Sequence, residues 1–244
     1  MSSLGTTGTS TREVGPHRRG LANPIDLDLG PLRVSRLEPE TRALGPGRRA
    51  VVWFQGCTLS CKGCIAASMN AAPPMLRTTA RALADWILST ETDGFTLSGG
   101  DPFDQPLDAL AELLEIVRSE SPLGAMVYTG RTLSQLQRLA DPNALRCLRA
   151  IDILVDGPYM EELNDGLGWR GSSNQMIHVT GPRSAGAEAG AIATRRLELR
   201  VAPDGFVSFT GLPARKRGCD MGSRLEFAAG HRNGDGSQNE GELH

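Results

Sequence analysis

The 244-residue chain is short of several things, and each shortage closes off a class of function. Net charge is nearly absent: 26 Lys and Arg stand against 28 Asp and Glu, a formal −2, so no broad basic face marks a nucleic-acid or membrane-surface protein. No apolar run reaches the length that crosses a bilayer. The opening stretch, 1–10, is small and polar apart from Met1 and Leu4 and lacks the apolar core of a secretory signal. Neither a Gly-Lys-Ser/Thr phosphate loop nor a His/Ser/Asp hydrolase set stands out, and no segment repeats. The apolar share of 39% is low for a globular chain, largely because both ends are polar. The length suits one sizeable domain.

Cysteine is scarce too, but three of the five fall within eight residues, in Gly56-Cys57-Thr58-Leu59-Ser60-Cys61-Lys62-Gly63-Cys64. A disulfide is a poor use of this loop, because an odd count leaves a thiol over and such near neighbours form strained rings. Thiolates favour soft metals, either zinc or iron–sulfur. A structural zinc site wants four ligands, usually as two separated pairs. A fourth ligand from Cys147, Cys219 or a histidine stays open on sequence alone. An iron–sulfur cube on three cysteines leaves one iron without a protein ligand, an opening for a substrate or cofactor. A cluster of free thiols fits a reducing compartment, so a cytoplasmic location is expected. Cys147 reads as a core residue and Cys219 as a free thiol.

Along the chain, 1–24 is expected to be a disordered arm, 25–227 one domain and 228–244 a disordered tail. His17-Arg18-Arg19 reads as solvated charge or a partner-binding arm. Period-two alternation predicts a strand over 31–37, then a Gly45-Pro46-Gly47 loop, then a buried strand over 50–54 that enters the cysteine loop. An irregular link through Pro73-Pro74 follows. Thr78 or Thr79 caps a helix to about Ser89, with Ala80, Leu83, Ala84, Ile87 and Leu88 at helical spacing. A strand over 95–97 runs into Ser98-Gly99-Gly100-Asp101-Pro102. Asp104 is expected to cap the next helix, with Pro106 in its first turn and Leu107, Leu110, Leu114 and Val117 buried. A strand over 125–129 precedes the capping box Thr132-Leu133-Ser134-Gln135. A strand over 151–155 ends on Asp156-Gly157-Pro158. Residues 166–175 form a glycine-rich loop and 182–190 an exposed connection. Strands are expected over 176–179, 197–201 and 206–209, with a hairpin turn at Asp204-Gly205. Alternating strands and helices argue an α/β fold with a parallel sheet or barrel. Cys57, Gly99, Thr129 and Asp156 all fall at C-terminal strand ends, the face where α/β barrels keep their active sites.

Cys-x3-Cys-x2-Cys, with Gly99-Gly100 after a later strand, resembles the radical S-adenosylmethionine (SAM) superfamily. Within it the chain resembles the activating enzymes of anaerobic ribonucleotide reductase, in the glycyl-radical-activating group. Four segments match in order: 56–64, 98–102, 152–158 and Trp169-Arg170-Gly171-Ser172-Ser173-Asn174-Gln175. The resemblance covers about residues 30–215. It implies a partial (β/α) TIM-like barrel of mostly parallel strands, with the cluster site at the C-terminal strand face. It implies one [4Fe–4S] cluster on Cys57, Cys61 and Cys64, with SAM chelating the fourth iron. Gly63, Cys64, Ile65, Ser98, Gly99, Gly100, Asp101, Thr129 and Asp156 would then lie along SAM, and Arg170, Ser173 and Asn174 would shape a substrate- or partner-facing loop. The implied reaction is reductive cleavage of SAM to a 5′-deoxyadenosyl radical that takes hydrogen from a glycine of a partner enzyme. The implied reductant is a flavodoxin or ferredoxin. This chain departs from the pattern at Asp101, where Glu is commoner, and at Ile65-Ala66, where an aromatic residue or His-Asn is frequent.

Two other functions compete: a radical SAM enzyme acting on a small molecule or peptide, and a non-catalytic metal-binding or redox module. Each site residue also has a plainer role. Gly99-Gly100 serves as an ordinary strand-ending turn, Asp156 as a turn cap, and Arg170, Ser173 and Asn174 as loop hydrogen-bonders.

Overall fold

Strand β2 (Arg49–Phe54) is buried along its whole length, because both of its faces are covered. Its alternate residues divide between two layers. In the computed structural model, which describes residues 30–71, 73–74, 76–183, 195–201, 205 and 207–213, Ala50, Val52 and Phe54 join the core under the helices. Val51 and Trp53 face the other way, against Leu44, with Met69, Tyr128 and Leu212 packed on them. The expected arm (1–24), the tail (228–244), Asp204, Phe206, Cys219 and residues 184–190 of the expected connection lie outside the described residues.

The same division runs through β4 (Gly94–Gly99), β5 (Gly124–Tyr128) and β6 (Ile153–Asp156). Phe95, Leu97, Ala125, Val127 and Leu154 face the helices; Met126, Ile153 and Val155 face the opposite side with Tyr128, Trp169 and Ile177. These four strands are parallel, in the order β2-β4-β5-β6. Antiparallel strands extend them: β1 (Leu32–Thr41) and then β3 (Leu76–Thr78) beside β2, and β7 (Met176–Val179) beside β6. The expected α/β class with a parallel centre is therefore present. The seven-stranded sheet is open, with β3 and β7 as its edges, and no closed barrel forms among the described residues.

Short α1 (Ser68–Ala71) turns within the link after the cysteines. The helix layer is built from α2 (Ala80–Leu88), α3 (Leu107–Glu120) and α5 (Pro142–Ala150), which supply Leu83, Ile87, Leu110, Leu114, Val117 and the fully buried Cys147. Burying each of the larger apolar side chains contributes about 1.5–3 kcal/mol before entropy is counted. Thr79 caps α2 by accepting from Ala82 N at 3.2 Å. The Thr132–Gln135 capping box opens α4 (Leu133–Gln137) as expected.

Three expectations need correction. Asp104 caps no helix: Asp101 caps a 3-10 turn over Pro102–Asp104, and α3 starts after Pro106 without a side-chain cap. The turn takes up the residues between strand and helix, leaving the Asp104 carboxylate free for other partners. β3 is too short to show a period in sequence and forms through pairing with β1. β1 itself runs on to Thr41 through its pairing with β2, where Thr41 stands opposite Arg49, and a separate hairpin of β8 (Leu197–Val201) and β9 (Val207–Gly211) packs beside it. The hairpin turns its polar face inward: Glu198 accepts from Thr41 Oγ1 at 2.7 Å, and Arg36 donates to Phe209 O at 3.2 Å.

At the N-terminal edge of the parallel strands, Arg49 is buried and donates to Thr96 Oγ1 (2.7 Å), Phe95 O (2.5 Å) and Gly124 O (2.7 Å). Burial pushes its guanidinium down to about 10. It ties the strand starts together, so the opposite edge is left for chemistry.

Candidate functional site

The parallel strands deliver their loops to one edge of the sheet. β2 runs into the cysteines, β4 into 100–102, β5 into 129–131 and β6 into 157–160. The cysteine loop and the glycine turn meet along a backbone seam. Gly100 N donates to Phe54 O at 2.8 Å, and Asp101 N donates to Gly56 O at 2.9 Å. A Cβ on Gly100 would lie 2.1 Å from Gly56 O; one on Gly99, whose φ is +96°, would lie 2.6 Å from Phe54 O. Both positions exclude side chains because another strand's backbone already fills the space. The far side of the loop is closed by α1, with Gly56 N donating to Met69 O (2.8 Å) and Cys57 N to Asn70 O (3.3 Å).

Cys57, Cys61 and Cys64 are all free and half-buried. Burial pushes the thiols of Cys57 and Cys64 up. A tight turn joins the last two, with Cys64 N donating to Cys61 O at 3.2 Å and Gly63 in the left-handed region at φ +71°. Half-buried Ile65 begins the next turn. Glu161 lies over Gly63, its carboxylate 2.9 Å from where a Cβ would stand, so the segment after β6 reaches back to the cysteine loop. The donor chemistry fits an iron–sulfur group: three soft, uncrosslinked donors on one loop, with no disulfide to break first. Among the described residues no set of three or more His, Cys, Asp or Glu side chains is gathered closely enough to hold a metal ion, so the loop carries the donors without a preformed cage. Formation of such a site is ordinarily coupled to binding.

Asp101 and Thr129 lie beside this seam and hold each other. The Thr129 hydroxyl donates to the Asp101 carboxylate at 3.0 Å, and Phe103 N and Gly130 N donate to the same group at 2.9 and 3.1 Å. Asp101 is 1% exposed, and burial pushes its carboxyl up to about 6 despite those donors. Ser98 is half-buried at the end of β4, opposite Trp53.

The other expected residues form a different group. Asp156 shares the helix-side parity of Leu154 and accepts from Leu133 N, the first amide of α4, at 2.5 Å. His178 Nε2 stands 3.2 Å from its Oδ2, within ion-pairing distance but without hydrogen-bond geometry. Both line a cavity of about 450 Å³, with Thr132, Asn174 and Met176 on its walls. Arg170 pairs with Asp165 at 2.8 Å, exposed Ser173 donates its backbone N–H to Leu163 O at 2.8 Å, and Asn174 donates to Pro158 O at 2.8 Å.

Sequence reasoning gave three residues here no role in the site. Gln175 is buried: its Oε1 accepts from Gly171 N (2.7 Å) and Ser172 N (3.2 Å), while its Nε2 donates to Gly157 O (2.7 Å). It binds the 169–175 loop to the turn after β6. Asp104 and Arg131 are the other two. Asp104 Oδ2 accepts from Thr58 N at 2.7 Å, inside the cysteine loop. No spacing announces such a contact, because the partners are 46 residues apart.

Residues 43–178 match the family model described as a 4Fe-4S single cluster domain, and all three clustered cysteines lie inside that span. The chain is also similar to anaerobic ribonucleoside-triphosphate reductase-activating proteins from several organisms. The one from Vibrio cholerae is 38% identical over 143 residues, covering 55% of this chain and 89% of the relative. The one from Escherichia coli K12 is 34% identical over 146 residues, covering 55% and 90%. The one from bacteriophage T4 is 31% identical over 151 residues, covering 60% and 93%. Among the described residues no helix is long and apolar enough to cross a membrane.

Proposed function

Since this chain belongs to the 4Fe-4S single cluster domain family, and to the anaerobic ribonucleoside-triphosphate reductase-activating proteins within the similarity just described, we propose that it is a radical SAM activase of a glycyl radical enzyme. The observation that supports this reading is the seam that packs Gly99-Gly100 against Phe54 and Gly56, the residue before the first of three free cysteines. Cys57, Cys61 and Cys64 would hold the cluster. When bound, such a cluster supplies the electron that cleaves SAM to a 5′-deoxyadenosyl radical, which takes hydrogen from a glycine of the reductase.

The chain's own residues then have defined tasks. Gly99 and Gly100, lacking side chains, let the methionyl part of SAM approach the backbone. Gly63 and Ile65 border the third cysteine, and Ser98 stands at the strand end. Asp101 and Thr129 act by bracing the exits of β4 and β5 rather than by leaving polar atoms free for a ligand. Asp156 works from the helix side, through α4 and the 157–160 turn. The open sheet is then the partial barrel of this superfamily, and Arg170, Ser173 and Asn174 lie on the loop offered to the partner. The electron donor on this reading is a flavodoxin or ferredoxin, and the enzyme works in the cytoplasm.

The test is anaerobic. The full chain is reconstituted with iron and sulfide, reduced with dithionite and given SAM. Formation of 5′-deoxyadenosine, abolished by Cys57→Ala, supports the reading, and its absence from a loaded wild-type protein overturns it. Adding an anaerobic ribonucleotide reductase and finding a glycyl radical by electron paramagnetic resonance supports the activase role. Cleavage without a glycyl radical would favour a small-molecule or peptide substrate instead.

A further inference from the structure

Asp104 belongs to no motif, yet its carboxylate holds the cysteine loop. Its Oδ2 accepts from Thr58 N at 2.7 Å and from Thr58 Oγ1 at 2.9 Å, and Thr58 is the residue after the first cysteine. Its Oδ1 is bonded to the Arg131 guanidinium, and Arg131 Nη2 also donates to Thr58 Oγ1 at 3.3 Å. The Asp104 carbonyl accepts from Arg33 Nη2 at 2.7 Å. The exits of β2, β4 and β5, together with β1, therefore meet in one polar knot centred beside Cys57. The Asp104 side chain is 9% exposed and that of Arg131 26%, so their ion pair is partly sheltered, while Thr58 itself is exposed.

Arg131 Nε is buried and has no hydrogen-bond partner. Arg33 Nε, in the same knot, is likewise buried without a partner. Arg131 reaches the residue after Cys57 through its hydrogen bond to Thr58 Oγ1.

We propose that Asp104 and Arg131 are positioning residues for the cysteine loop. Asp104 fixes the backbone at Thr58 so that Cys57 is held for ligation. Arg131 anchors Asp104 and sets its positive charge beside Thr58, next to the first cysteine of the loop. The role of Arg131 rests on the cluster reading above; that of Asp104 can be read in the protein without any cluster. A fixed positive charge beside an iron–sulfur group favours its reduced form, so removing that charge makes the group harder to reduce.

Two measurements on the full chain decide it. Without iron, hydrogen exchange of the peptide covering 56–60 is compared in wild type, Asp104→Ala and Asp104→Asn. Exchange at least tenfold faster there in Asp104→Ala, with α3 and α5 unchanged, supports the latch; unchanged exchange overturns it. Asp104→Asn keeps an acceptor oxygen for Thr58 N and loses the charge pair, so its exchange is expected to stay closer to wild type than that of Asp104→Ala; Asp104→Ser, too short to reach Thr58, replaces the alanine variant if that does not fold. After reconstitution, Arg131→Gln is expected to lower the midpoint potential and Arg131→Lys to restore it. A potential that is the same in all three overturns the role of Arg131. If wild type takes up no cluster at all, the activase reading fails while the exchange result still judges Asp104.

Discussion

The Thr129 hydroxyl stands 3.0 Å from both oxygens of the Asp101 carboxylate, across the gap between the ends of β4 and β5. The acid of the glycine turn is thus engaged by a neighbouring strand exit. Its consequence is measurable as a pH dependence. The folded-state value, about 6, lies above the ordinary 3.8, so the folded protein holds this proton more tightly than the unfolded chain. The corresponding stability is full below about pH 4 and is lost as pH rises through about 6. Urea unfolding of wild type minus Asp101→Asn, measured across that window, should fall by an amount on the order of 3 kcal/mol and be flat above it. A flat difference throughout would show that the carboxyl is not raised.

Gly100→Ala tests the seam between the two motifs. The added methyl would stand 2.1 Å from Gly56 O, and the obstacle is backbone rather than a flexible side chain. The glycine turn and the cysteine loop must separate, breaking the Gly100–Phe54 and Asp101–Gly56 hydrogen bonds. A loss of about 2 kcal/mol or more is expected in urea titration. Iron uptake on reconstitution should fall with it.

Cys147 should behave unlike the clustered cysteines. It is fully buried, and burial pushes its thiol up to about 12. At pH 8 only about one molecule in ten thousand carries the thiolate that reacts. Iodoacetamide applied to the native iron-free protein should therefore label Cys57, Cys61 and Cys64 while sparing Cys147, as read by peptide mass. Labelling of Cys147 at a comparable rate would mean that α5 opens readily.

The 169–175 loop separates into a strut and a surface. Gln175→Ala strands Gly171 N, Ser172 N and Gly157 O in a buried setting. A cost of about 2–4 kcal/mol is expected, with faster exchange in the loop. Arg170→Ala removes a half-exposed pair with Asp165 and should cost less than about 1 kcal/mol. Unfolding curves of the two variants check the contrast, and equal losses would overturn the division.

Much of this was legible in the chain itself. Apolar runs placed the parallel strands to within two residues, and Thr132-Leu133-Ser134-Gln135 announced its capping box, because both signals depend on neighbours in sequence. Local signals failed where the deciding partner was distant. Asp104 resembled a helix cap until Thr58 and Arg131 were beside it, and β3 existed only once β1 was there to pair with it.

By itself the sequence determined the donors and the order of the elements: three thiols at a strand end, two glycines at the next, and helices between strands. Tertiary structure alone decided what stands against what. Gly100 lies on Gly56 because parallel β2 and β4 end side by side, and Asp156 turns toward α4 because its strand parity points it to the helix layer. Spacing fixes chemistry along a chain, whereas the assignment of a side chain to one face of a sheet depends on pairings between residues far apart in it.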